Sequence, residues 1–155
     1  MNDQSTISII YRFLEENQLK FGVISTTGEE APQVAFVYFA TDEDLNIYFV
    51  TRTNSRKYKN MMKHPKVAFA VASEKPSGTV QMEGKVETVT DPDLQRVLFP
   101  KLVEFAANRT GLAPISQYST TGEAIFLKVV PTWVRFSDFE VEDKSQIFHE
   151  VTFQE

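Results

Sequence analysis

At 155 residues and 17.7 kDa the chain is long enough for one domain with a real core, and 42% hydrophobic residues, thirteen of them Phe, point to a packed globular protein. The absence of cysteine excludes disulfides, thiol nucleophiles, Cys-type zinc sites and iron–sulfur clusters. A net charge of −5 argues against broad binding to nucleic acid or to an anionic membrane. With no basic-then-apolar N-terminus and no apolar run near the ~20 residues of a membrane span, a cytoplasmic protein is expected.

The expected organisation is one domain over 1–155: an N-terminal helix over 1–18, a barrel with inserted helices over 19–137, and a C-terminal tail over 138–155. Ile7, Ile10, Tyr11 and Leu14 recur at helical spacing after Ser5-Thr6. Leu19 to Ser25 reads as a strand, and the run from Thr27 to Pro32 as the turn after it. Val34 to Ala40 and Asn46 to Thr51 read as two more strands, joined through Asp42-Glu43-Asp44 as a hairpin. Strands are also expected over Val67 to Ser73 and Thr79 to Val89, around the turn Lys75-Pro76-Ser77-Gly78. Asp91-Pro92-Asp93 opens a helix running to about Asn108, in which Pro100 implies a kink or break. Ala124 to Val130 and Trp133 to Phe136 supply the last strands, and the whole is the pattern of an antiparallel barrel with a few helices.

Thr51-Arg-Thr-Asn-Ser-Arg-Lys57, directly after the strand run Ile47 to Val50, concentrates hydroxyl, amide and cationic side chains at a strand end. A dianionic phosphate needs that donor set. Tyr58 to Lys63 reads as one or two helical turns, and Ser55 stands where an N-cap would be, aiming free N–H groups at the same anion. The competing reading is a solvated basic turn.

Two strands are apolar on both faces: Val34, Phe36 and Tyr38 against Ala35, Val37 and Phe39, and likewise Val67 to Ala72. A half-exposed antiparallel sheet alternates polar with apolar, so the second face calls for a cover: a second copy of the chain, the chain's own helices or a flat ligand.

The ordered set of Gly28 and Pro32, the apolar strand, the acidic hairpin, Tyr48-Phe49-Val50-Thr51, Ser55-Arg56-Lys57, His64-Pro65-Lys66-Val67 and Met82-Glu83-Gly84 resembles the FMN-binding split barrel of the pyridoxamine 5′-phosphate oxidase-like superfamily. The resemblance runs from about residue 20 to 90, with weaker support to about 137. It implies a mainly β, antiparallel split β-barrel and a homodimer holding FMN between its chains. It also implies that Thr51, Ser55, Arg56 and Lys57 hold the FMN phosphate, and that Val34, Ala35, Phe36 and Val50 run beside the flavin and offer it largely backbone groups. Thr79 falls where pyridoxamine phosphate oxidases have a flavin-contacting glutamine. Those oxidases also carry a basic residue at each end of the second strand, where this chain has Ala35 and Ala40; Ser137 falls near their C-terminal tryptophan, and the tail Phe148-His149-Glu150-Val151 does not match their ending. The resemblance therefore implies an FMN-dependent oxidoreductase acting on a small molecule other than pyridoxamine phosphate, with uncharged or aromatic substrates favoured and NAD(P)H as a candidate electron donor. A non-catalytic flavin-binding or storage protein is the alternative, and a heme-binding relative a third reading.

The remaining polar residues point less sharply. His64, before Pro65 at a helix end, reads as a cap, and His149 lies too far from it to share a metal, so no metal site is expected. Asp42, Glu43 and Asp44 read as an acidic hairpin tip. Trp133 and Arg135 are a structural aromatic and a surface cation, or the residues that border the flavin from the partner chain.

Overall fold

The computed structural model describes residues 3–17, 20–104 and 123–154. Helix α1 (Asp3–Glu16) buries Thr6, Ile10, Phe13 and Leu14 at helical spacing, with Ile7 and Tyr11 packed partly against the same core. The chain reverses through Lys20, whose φ of 51° lies in the left-handed region and whose Nζ donates to the carbonyls of Leu14 and Glu15 at the end of α1. Strands β1 (Phe21–Thr27) and β2 (Pro32–Tyr38) then form a seven-residue antiparallel pair.

Beyond β2 the structure corrects the sequence expectation. The run expected as one strand from Val34 to Ala40 breaks at Phe39, which is buried and donates its N–H to the Lys20 carbonyl at 2.9 Å. Only β3 (Ala40–Thr41) pairs with β4 (Ile47–Arg52), so the acidic hairpin is two residues deep, and β2 pairs with β1 instead. Asp42 organises its tip: the carboxylate accepts the N–H groups of Asp44 (3.1 Å) and Asn46 (3.0 Å), the Asn46 side-chain amide, and the Tyr48 hydroxyl at 2.7 Å. Burial, and then this bond to Asp42, push the Tyr48 phenol far above its ordinary value. The Asp42 carboxylate is thus spent on the turn, and among the described residues no group of three His, Asp or Glu could hold a metal.

Helix α2 (Arg56–Lys63) leads into the hairpin of β5 (Lys66–Glu74) and β6 (Ser77–Thr88). Pro92 sits in the first turn of α3 (Pro92–Phe99), capped by Asp91, and Pro100 opens a π-helical turn (Pro100–Glu104) in place of further α-helix. The expected helix end near Asn108 lies outside the described residues. The two expected last strands are one, β7 (Ala124–Asp138). The segment expected as a tail adds β8 (Phe148–Thr152) on its edge.

Among the described residues eight strands form one antiparallel sheet in the order β2-β1-β5-β6-β7-β4-β3, with β8 beside β7. The sheet curls into the expected split barrel around a core that includes Ile24, Phe49, Phe69, Met82 and Leu127, closed by α1. A second, smaller core of Tyr48, Val50, Val89, Leu98 and Leu102 lies between β4 and α3. No helix of the described residues is long and apolar enough to cross a membrane.

Curvature is concentrated where β6 meets β7. Glu83 pairs with Trp133 and Gly84 with Pro131, which leaves Thr132 as an extra residue, a β-bulge whose hydroxyl donates to the Glu83 carbonyl at 3.2 Å. Pro131 has no N–H to give the ladder, and a bulge is where a sheet tolerates that loss. The strands approach so closely there that a Cβ on Gly84 would stand 2.4 Å from the Val130 carbonyl oxygen. Gly84→Ala is therefore expected to cost about 1–3 kcal/mol in a urea unfolding titration, because the obstacle is backbone that cannot swing aside.

Candidate anion clamp and outer-face site

The strand-end clamp is assembled by local geometry. Thr51, the last inward-facing residue of β4, is buried, and its hydroxyl lies 3.1 Å from that of Ser55. Ser55 closes the turn with its N–H on the Arg52 carbonyl (3.0 Å) and caps α2 by accepting the Tyr58 N–H at 3.2 Å. Thr53 and Glu123 exchange hydrogen bonds of 3.0 and 3.2 Å, which ties this turn to the chain leading into β7. On the other side Asn60 donates to Thr26 (3.0 Å) and Gln33 (2.9 Å), fixing α2 against β1 and β2. The start of α2 is thus held from three directions.

Lys57 occupies the second position of this helix, half-buried. Burial alone lowers its pKa, and no described carboxylate or other acceptor engages its ammonium. Arg56, one residue earlier and so about 100° around the helix, is exposed. It lines a depression of about 650 Å³ between α2 and the β1–β2 turn, with Lys59, Lys63, Glu29 and Glu30. The exposed Lys63–Glu29 pair (3.1 Å) across this depression contributes little to stability.

Thr51 and Ser55 are brought into contact, Lys57 is half-buried two residues after Ser55, and Arg56 lines the depression on the α2 flank. Val34 and Phe36 project from β2 on the outside of the sheet, 66% and 72% exposed. Ala35 faces the core, Val50 the smaller core, and Thr79 the outer face three strands away from β2. Within one chain these residues do not form a single pocket.

On the outer face Val34, Phe36, Trp133 and Arg135 are joined by residues that the sequence did not point to, among them Ser25, Ala68, Ala70 and Gln81. Val34, Ser25, Ala68, Glu83 and Trp133 stand in one row across the strands, and Phe36, Val23, Ala70, Gln81, Arg135 and Glu150 in the next. A shallow trough of about 360 Å³ lies over Ala68 and Ala70, walled by Val34, Gln81, Glu83 and Trp133. Thr79 does not line it. The period-two polarity of Thr79, Gln81, Glu83 and Lys85 against Val80, Met82, Gly84 and Val86 is the sequence signal for this face. At its end Glu150 accepts the Trp133 indole N–H (2.8 Å) and two Arg135 bonds (3.1 and 2.9 Å), interactions that hold its carboxyl below the usual range. The Arg135 guanidinium sits over the rings of Trp133 (5.7 Å) and Phe148 (5.4 Å). His149, on the other face of β8, stacks on Phe136 at 5.8 Å.

The chain matches the family model described as pyridoxamine 5′-phosphate oxidase over residues 11–138. It belongs to that family. The fold is similar to that of a pyridoxamine 5′-phosphate oxidase-related, FMN-binding protein from Nostoc punctiforme PCC 73102, at 14% identity, with 96% of each chain covered and a TM-score of 0.61. General Stress Protein 26 from Bacillus anthracis str. Sterne is similar at 17% identity, over 88% of this chain and 94% of that one, with a TM-score of 0.61. A heme binding protein from Mycobacterium smegmatis is similar at 14% identity, over 98% of this chain and 59% of that one, with a TM-score of 0.67. No curated protein matches the chain. At these identities the family fold is shared, with FMN-binding and heme-binding proteins among the relatives.

The clamp can be separated from the helix cap it contains. Ser55→Ala should lower stability by about 1 kcal/mol in chemical denaturation, since the cap is lost. Ser55→Asp keeps a capping oxygen and should leave stability close to wild type. A phosphate mimic such as inorganic phosphate, followed by thermal shift, should stabilise the wild-type protein and not Ser55→Asp, because the new carboxylate repels the anion.

Proposed function

We propose that the protein binds FMN through its phosphate at Thr51, Ser55, Arg56 and Lys57, as a homodimer, and carries out a flavin redox reaction on a small molecule. One observation carries this reading: Lys57, in the first turn of a capped helix whose N-cap Ser55 is paired with Thr51, is a half-buried cation without an acidic partner among the described residues. Burying an uncompensated charge costs stability, and a phosphate is the compensation the donor set fits. Flavin would supply the hydride or electron transfer; the chain's own residues bind and orient it and control access of water and oxygen. Val34 and Phe36, exposed beside the trough, support a second chain as the cover of the outer face. With Ala35 and Ala40 in place of cations, a second phosphate-bearing molecule lacks partners, so pyridoxamine 5′-phosphate is a poor substrate.

FMN should bind more tightly than riboflavin, and Lys57→Met or Arg56→Met should each weaken FMN by about 1.5–3 kcal/mol, read by flavin fluorescence quenching. Equal dissociation constants for FMN and riboflavin would refute the clamp. The pH dependence has a definite sign. Lys57 loses its proton below the ordinary lysine value of 10.5, and bound phosphate favours the charged form. FMN affinity therefore falls as pH rises through the lowered pKa, and Lys57→Met abolishes that fall. In the flavin-free protein the same substitution should raise the melting temperature, since the desolvation cost disappears.

Sedimentation of the flavin-loaded protein should give a dimer with two equivalent sites. A 17.7 kDa monomer that keeps its flavin would remove the dimer from the proposal.

A further inference from the structure

The lysines of this chain fall into three groups, and Lys57 stands outside them all. Lys59, Lys66, Lys75, Lys85, Lys101 and Lys144 are exposed. Lys63 and Lys128 are ion-paired, to Glu29 at 3.1 Å and to Glu87 at 3.5 Å. Lys20 is partly buried, but its ammonium donates to the carbonyls of Leu14 and Glu15. Water, a carboxylate or a carbonyl acceptor each favour the charged form of a lysine. Lys57 alone combines partial burial with an ammonium that no described residue engages. Burial lowers its pKa, and its place in the first turn of α2, at the positive end of the helix dipole, disfavours a cation as well. Of the chain's amines it is therefore the one best suited to act as a nucleophile. It also belongs, with Thr51, Ser55 and Arg56, to the cluster read above as an anion clamp. An electrophilic carbon carried on a phosphate is the reagent such a cluster would draw in.

We propose that Lys57 is a modification site for acyl phosphates, and that its acylation closes the anion clamp. The neutral amine attacks the acyl carbon, forming a C–N bond, and the bond from that carbon to the bridging phosphate oxygen breaks. Inorganic phosphate leaves with the electron pair and takes up the proton that the amine gives off, so nothing is oxidised or reduced. Holding the phosphoryl group in the clamp raises the local concentration of the electrophile, an advantage that a neutral acyl donor does not share. The resulting amide carries no charge, so the acylated clamp has lost the cation it offers a phosphate. The proposal rests on the clamp reading above, in which FMN and an acyl phosphate compete for one site.

The test treats the flavin-free protein with acetyl phosphate and reads acetylation lysine by lysine, by mass spectrometry of chymotryptic peptides. Lys59, exposed on the same helix, is the internal reference. Lys57 should react about tenfold or more faster than Lys59, the size of lead that one charge-assisted hydrogen bond to the donor supplies. With N-acetoxysuccinimide, a neutral acyl donor, the lead should shrink. FMN should slow the reaction at Lys57 and not at Lys59, while riboflavin slows neither. Protein acetylated at Lys57 should in turn bind FMN about tenfold or more weakly. No lead with acetyl phosphate, or the same lead with both donors, would overturn the assignment, and an FMN affinity unchanged by acetylation would overturn the closing of the clamp. Competition separates this proposal from the flavin reading. A protein that prefers FMN to riboflavin yet shows no lead at Lys57 overturns the acylation site alone. A lead that inorganic phosphate suppresses and FMN does not overturns the flavin reading and leaves the acylation site standing. A lead that neither suppresses removes the clamp from both.

Discussion

The rest of the structure depends on the close approach of β6 and β7 at Gly84. These two strands pair over eleven residue pairs from Gly78 with Asp138 to Thr88 with Leu127. A regular ladder of that length has to bend before it can wrap a core, and the bulge at Thr132 supplies the bend. Pro131 and Gly84 are the two residue types that such a junction tolerates or demands, one lacking a donor and the other lacking a Cβ. Because the bulge adds one residue to β7 only, it also resets which side chains of that strand face outward. Trp133 and Arg135 reach the outer face in register with Glu83 and Gln81 for that reason. The trough and the barrel's curvature are therefore consequences of the same backbone irregularity.

Outer and inner faces answer to different rules. Inside, alternate residues of β5 and β6 are buried without exception from Val67 to Val71 and from Gly78 to Val86, as burial of one sheet face requires. Outside, β5 presents Ala68, Ala70 and Ala72 where a water-facing strand would carry polar side chains. Small apolar residues there cost little in water and leave room for something flat or for another backbone. Val34 and Phe36 at the β2 end are a different matter, since two large side chains so exposed are a liability for a sheet that ends in an edge strand.

Periodicity revealed the strands but not all of their partners. Alternation identifies the barrel strands, the N-terminal helix and the capped start of α2 within a few residues, because each depends on local pattern or on one capping side chain. Pairing depends on contacts far apart in sequence. Asp42-Glu43-Asp44 signals a hairpin and forms one, yet the break at Phe39, where its N–H turns to the Lys20 carbonyl, hands β2 to β1. Pro131 suggests two strands where there is one, since the bulge that absorbs it is visible only with β6 in place. The C-terminal strand is short and polar, and its reason to pair lies in the free edge of β7 beside Trp133 to Ser137. At the candidate site, the polar and basic cluster from Thr51 to Lys57 is legible because its residues are close in sequence, whereas the outer-face rows that set Gln81 and Glu83 beside Ala68, Ala70 and Trp133 form only across neighbouring strands.

The strand-end cluster holds charge differently from the rest of the surface. At the clamp the chain accepts a local cost: a cation is drawn into partial burial at Lys57 with no described carboxylate to balance it, although the protein is acidic overall. Surface acids elsewhere are engaged locally: Glu29 with Lys63, Asp93 with Arg96 and Glu150 with Arg135. Lys57, by contrast, has no partner among the described residues and stands in the first turn of a helix, where free N–H groups add further donors.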